Sequence, residues 1–279
     1  MKTLRFTGVP EHYSYPIITA LKNLEKRYPN TWEYSPGGTG EMLEKLKNRE
    51  VDVAILLTDG FLKSQSTYKP IFVDFYVSSP LHWGIHTFYE SSATSVNDLE
   101  KTPVLISRKF SGSHLMAQLL QKQENWKSEI SLKQIGDLKG ALDYCTKNKE
   151  DFIFLWEKFT TEKFCKPGAF KSVGTIATPW PAFTIALDPD AFRSYDKTWI
   201  TNLFEEIKSE VIRIIESEDF VNKIAEVAAL DQQKIEDWLS YTHWYQNKDQ
   251  AKTLAESQAI LMEANIIENA EDLHFLSTH

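Results

Sequence analysis

Apolar positions recur with two different periods along the first sixty residues. Leu4 to Val9 reads as a short strand that ends in the polar loop Pro10-Glu11-His12-Tyr13. Ile17, Ile18, Leu21, Leu24 and Tyr28 then follow at helical spacing, so a helix is predicted to close before Pro29. Trp32-Glu33-Tyr34 gives a second strand, and Gly37-Gly38-Thr39-Gly40 leads into a helix whose apolar side is Met42, Leu43 and Leu46. Val51 to Leu57 is apolar on both faces apart from Asp52, the pattern of a buried strand. Such β-α-β-α-β order predicts parallel strands with right-handed crossovers.

The pattern then changes. Ile71 to Val77 and His82 to Thr87 read as two strands rich in aromatic and β-branched residues, separated by Ser78-Ser79-Pro80. From Asn97 the strand-loop-helix theme starts afresh: strand Val104 to Ser107, loop Ser111-Gly112-Ser113, helices His114 to Lys122 and Leu138 to Tyr144, strand Phe152 to Trp156. After Thr178-Pro179-Trp180-Pro181, Ala182 to Leu187 is a strand that re-enters the first sheet. The rest is helical, with apolar stripes at Leu203, Phe204, Ile207, Val211, Ile214 and Ile215 and, on the last helix, at Leu254, Ile260, Leu261 and Ile266. The expected organisation is a first lobe of residues 1–95 and 180–279 and a second lobe of residues 96–179. No Ser/Gly-rich linker joins them, which implies hinge motion rather than independent domains.

Composition narrows the function. The 279 residues are 42% hydrophobic with a net charge of −8, and no sustained basic stripe is present, so nucleic acid is excluded as a partner. No apolar run approaches the roughly 20 residues of a membrane span. The amino terminus lacks the apolar core of a signal peptide, which makes a cytoplasmic location the expectation. Cys145 and Cys165 form no disulfide or metal pattern and are expected to be small, reduced, hydrophobe-like residues.

Several motifs in this order resemble type II periplasmic binding proteins. They are Pro10-Glu11-His12, Gly37-Gly38-Thr39-Gly40, Val51-Asp52-Val53-Ala54, Ser111-Gly112-Ser113-His114, and the tail from Leu230-Asp231 through Trp238-Leu239 to Thr242-His243-Trp244. The similarity spans most of residues 1–245, and the branch it most resembles binds alkanesulfonates, nitrate and thiamine-pyrimidine precursors. The chain looks like the leaderless intracellular offshoot found in fungi and some bacteria. The resemblance implies a two-lobed α/β fold with crossing hinge strands, a helical carboxy-terminal extension, and a ligand held between the lobes.

Candidate contacts follow from chemistry, each beside a structural alternative. Gly38 and Thr39 open a helix, where backbone N–H groups can hold an anion or simply form a capped turn. No P-loop lysine follows, and the third glycine of a dinucleotide fingerprint is missing. Ser111, Gly112, Ser113 and His114 repeat the device in the second lobe near Arg108 and Lys109, with Ser113 as the cap in the structural reading. Asp59, in Thr58-Asp59-Gly60, ends a strand as an acceptor or as a plain turn. Tyr13, Trp83, Trp156 and Trp180 could stack on a flat ligand or fill the core. Glu11 beside His12 could move a proton, yet loop polar residues are usually just solvated.

No histidine spacing supports a metal site, no nucleophile elbow is present, and no cofactor is called for. The expected function is capture of a small solute such as a sulfonate, phosphate, carboxylate or pyrimidine. Two rivals stand beside it. One is an enzyme resembling the fungal thiamine-pyrimidine synthases, which carry a clustered-cysteine motif that two separated cysteines do not make. The other is a scaffold with a vestigial cleft.

Overall fold

Strand β1 (Leu4–Gly8) lies between β2 (Asn30–Tyr34) and β3 (Val53–Leu57), all parallel, with Phe6 opposite Trp32 on one side and Val53 on the other. Helix α1 (Ser14–Leu24) connects β1 to β2, and α2 (Thr39–Lys47) connects β2 to β3. Asp52, just before β3, is buried and takes both Arg5 Nη2 at 2.8 Å and Nε at 3.0 Å, a fork that fixes β1 against β3. These geometries come from a computed structural model that describes residues 3–276. The chain forms two units, Met1–Ser79 with Trp180–His279, and Pro80–Pro179.

Two features differ from the sequence expectation. Thr58-Asp59-Gly60 is not a turn but the first turn of helix α3 (Thr58–Ser64). The glycine is required by packing, because a Cβ on Gly60 would stand 2.1 Å from Thr39 Cγ2. The other is β4 (Ile71–Phe88), one strand of 18 residues where two were expected. Ser78-Ser79-Pro80 stays extended because the Ser78 N–H donates to the His243 carbonyl at 2.8 Å, while Ser79 Oγ accepts from the His243 N–H at 3.0 Å. The chain passes from the first unit to the second at 79/80, within β4.

In the second unit, β5 (Val104–Ile106) runs parallel to both β6 (Leu132–Gln134) and β7 (Ile153–Glu157). Strand β4 pairs antiparallel with β7, setting Trp83 opposite Glu157 and His86 opposite Phe154. Helix α4 (Gly112–Gln123) turns Leu115, Met116 and Leu120 inward. Helix α5 (Leu138–Asn148), capped by Asp137, packs Tyr144 and Cys145 against Phe152, Phe154 and Phe170. The short α6 (Lys158–Thr161) follows β7.

The chain returns along β8 (Phe170–Leu187), whose second half pairs antiparallel with β3, Ile185 opposite Ile55. Helices α7 (Pro189–Ser194), α8 (Lys197–Ile215), α9 (Phe220–Ala228), α10 (Gln232–Leu239) and α11 (Gln250–Glu263) complete the first unit. Helix α8 buries the predicted stripe, Leu203 to Ile214, and α1 packs on it with the Tyr28 hydroxyl donating to Glu206 at 2.9 Å. The last helix stops at Glu263, so Ile266, expected on its apolar stripe, lies beyond it. Beyond it the tail lies beside the start of β4, with the Phe72 N–H on the His274 carbonyl and the Leu276 N–H on the Phe72 carbonyl, both 2.7 Å.

Candidate ligand-binding site

Ligands of open α/β sheets bind beyond the carboxyl ends of the strands, and the segments after β1, β3 and β5 that hold many of the predicted residues follow such ends. In the first unit the segment after β1 is built inward. Tyr13 is buried; its carbonyl accepts from the Tyr76 hydroxyl at 2.6 Å and its own hydroxyl accepts from Trp238 Nε1 at 3.1 Å. Its ring lies 5.0 Å from that of Phe183. His12 is buried as well, edge-on to Trp238 at 4.7 Å. Ser14 Oγ donates to the Val9 carbonyl at 2.7 Å and closes the loop, and the half-buried Glu11 takes the Ser14 N–H on its carbonyl at 3.0 Å. This is an aromatic wall rather than a solvated loop.

The start of α2 carries its own anion. The Glu41 carboxylate accepts the Gly37 N–H at 2.6 Å and pairs with Lys45 at 3.0 Å. Partial burial works against its ionisation, but the Lys45 ammonium and the Gly37 amide outweigh that and hold the carboxyl below its usual range. Gly38 is the cap residue, at φ +71° with open space around it. Thr39 is not the cap; its hydroxyl accepts from the Leu57 N–H at 3.3 Å, tying α2 to the end of β3. Asp59, expected as an acceptor on a turn, is buried in α3 and paired with Lys63 at 2.8 Å. Trp180, at the return into the first unit, is buried within β8.

In the second unit the loop between β5 and α4 is tightly cross-linked. Ser111, not Ser113, caps α4: Ser111 Oγ accepts from the His114 N–H at 3.4 Å and donates to the Arg108 carbonyl at 2.7 Å. Ser113 Oγ accepts the Ser107 N–H at 2.9 Å. Both serines are buried, and their hydroxyls shape the loop. The amides of Gly112 and Ser113 stand in the first helical turn, where no intrahelical acceptor exists. Beside them Arg108 and Lys109 are exposed. His114 Nδ1 accepts the Phe110 N–H at 3.0 Å.

Trp83 and Trp156 sit on strands β4 and β7. Trp156 stacks on Phe154 at 5.5 Å and packs against the core. Trp83 is 7% exposed. Phe110 was missed: it is 79% exposed and holds a left-handed φ of +63°. Its signal in the sequence is an aromatic directly after Arg108-Lys109 and before the Ser-Gly-Ser turn. Among the described residues no three or more of His, Cys, Asp and Glu gather as metal ligands would. Among the same residues no helix is long and apolar enough to cross a membrane.

Comparison with known proteins gives the class. The model of the Ca3427-like periplasmic-binding-protein family matches residues 83–176. Among solved structures, the Candida albicans CA3427 gene product, described as a new family with the generic periplasmic binding protein fold, is 22% identical. That match covers 98% of this chain and 93% of the other at a TM-score of 0.84. The periplasmic aliphatic sulphonate binding protein SsuA of Escherichia coli is 15% identical over 98% and 96% of the two chains, at a TM-score of 0.72. The alkanesulfonate-binding SsuA of Xanthomonas axonopodis pv. citri, bound to MOPS, is 14% identical over 96% and 95%, at 0.75. No curated protein sequence matches the chain. The chain thus has the type II periplasmic-binding-protein-like fold along nearly its whole length.

Proposed function

We propose that this chain is a binding protein that closes its two units on a small ligand, for sensing, buffering or delivery in the cytoplasm, without a catalytic step. The observation that supports the reading is the match, over nearly the full length of both chains, to solved structures with the periplasmic binding protein fold, two of them sulfonate-binding proteins. The residue pattern supports it: buried aromatics Tyr13 and Trp180 in the first unit, Trp83 in the second, and polar segments at strand ends in both. Glu11, His12, Gly38, Thr39, Asp59 and Trp156 stay on the list of proposed contacts, although Glu41 and Lys63 already serve the polar groups at Gly37 and Asp59. An anionic head is better served by the amides of Gly112 and Ser113 with Arg108 and Lys109, where two exposed cations stand beside a positive helix end.

The test is a thermal-shift screen of sulfonates, phosphates, carboxylates and pyrimidines, with sulfonates first because two neighbours in fold bind them. Gly112→Asp then sets a like charge against the ligand head. Affinity for an anionic hit should fall at least about tenfold, the worth of one lost charge-assisted hydrogen bond. An unchanged affinity would remove α4 from the site. Rescue of a thiamine-pyrimidine auxotroph by the gene would contradict the absence of catalysis.

A further inference from the structure

An indole N–H can only donate. Trp83 is 93% removed from solvent, at 7% exposure, and no acceptor among the described residues reaches its Nε1–H. A second orphan lies close in the chain's topology, the buried Thr160 hydroxyl, likewise without a partner among the described residues. One residue links them. Glu157 is the registered partner of Trp83 across the β4–β7 ladder, so both side chains stand on one face with their Cβ atoms about 5 Å apart. Its carboxylate is buried and accepts the Phe159 N–H at 3.0 Å and the Thr160 N–H at 2.6 Å. A donor and a hydroxyl thus flank a buried carboxylate at the carboxyl end of β7.

Buried polar groups in native proteins are paired almost without exception, and an unpaired one costs the desolvation of the group. Two orphans beside one carboxylate point to an occupant that completes them. Resting on the binding-protein reading, we infer that the end of β7 is a polar subsite for an uncharged donor–acceptor edge, such as a lactam, amide or aminated heterocycle. The ligand acceptor takes the Trp83 N–H, and the Thr160 hydroxyl takes the neighbouring ligand donor. Glu157 repels a bare anion here, which separates this subsite from the basic segment at Arg108-Lys109.

The experiment is an NMR titration of protein labelled with ¹⁵N-tryptophan, the Trp83 indole cross-peak being assigned by its loss in Trp83→Phe. The probe is 2-pyridone, which sets a carbonyl beside an N–H; N-methyl-2-pyridone and acetate are the controls. The Trp83 peak should shift and saturate with 2-pyridone. Binding should weaken at least about tenfold on N-methylation of the probe and in the Thr160→Val variant, which keeps the side-chain shape. A peak unmoved by 2-pyridone up to its solubility limit, or saturated more tightly by acetate, overturns the subsite. If native mass spectrometry meanwhile finds another small molecule retained, the binding reading survives and only this inference falls. If nothing is retained and nothing in the thermal-shift screen binds, both fall.

Discussion

His86 shows how the second unit uses a polar side chain as structure. It is buried, its Nδ1 lies 3.1 Å from the Phe154 carbonyl and its Nε2 3.0 Å from the Thr161 hydroxyl. A carbonyl only accepts, which places the ring proton on Nδ1 and leaves Nε2 as the acceptor. Burial pushes the imidazole from 6.5 down to about 4. The unfolded chain therefore takes up the proton first, so folding stability is full above pH 6.5 and falls as the pH drops towards 4. The depression corresponds to about 3 kcal/mol. Urea unfolding at pH 7 and pH 4.5 should show most of that loss in the native chain and a smaller one in His86→Gln; equal losses would contradict it. At this scale the sequence misleads most about aromatics. Tyr13 follows a polar loop, and nothing local shows that its hydroxyl meets Trp238, 225 residues away. Trp180, between two prolines, looks like a loop residue and is a buried strand residue.

At the scale of elements, α2 and α3 meet at Gly60 with no room for a side chain. Gly60→Ala would drive a methyl group into Thr39 Cγ2. The β-branched threonine has little rotamer freedom to yield, so the variant should lose about 1–3 kcal/mol. Thr39→Ser removes that methyl group and keeps the hydroxyl bonded to the Leu57 N–H, so the double variant should regain most of the loss. Additive losses in chemical denaturation would show that the two helices do not meet there. The tail offers a second test. Residues 274–276 satisfy backbone groups of β4 around Phe72. A chain ending at residue 273 should expose them and self-associate with concentration in light scattering, as uncovered strand edges do; a monodisperse monomer would contradict this. Periodicity predicted the stripe of α8 because burial there is one-sided and regular, and short apolar runs marked β1 and β3 because those strands are buried on both faces. It split β4 because Ser78-Ser79-Pro80 carries turn chemistry, while the bonds that keep it extended come from His243. It missed β6, whose three residues are all exposed.

For the whole molecule, the alternation of βα units, their renewal past Asn97 and the return at Ala182 made the α/β class and the two-lobed plan legible in the chain. The ligand was not legible, since Gly-rich and Ser-rich helix starts have the same composition whether they serve an outside anion or an internal Glu41. The central claim is that a small molecule binds. Native mass spectrometry of the freshly purified chain, followed by thermal denaturation with the released molecule added back, tests it most directly. The expected result is a mass above the 32.2 kDa of the polypeptide that falls to it on mild activation, with the stability rising by about 2.7 kcal/mol at a hundredfold excess over Kd. A bare polypeptide mass, with no shift in the unfolding midpoint from any sulfonate, phosphate, carboxylate, amide or pyrimidine, would contradict it.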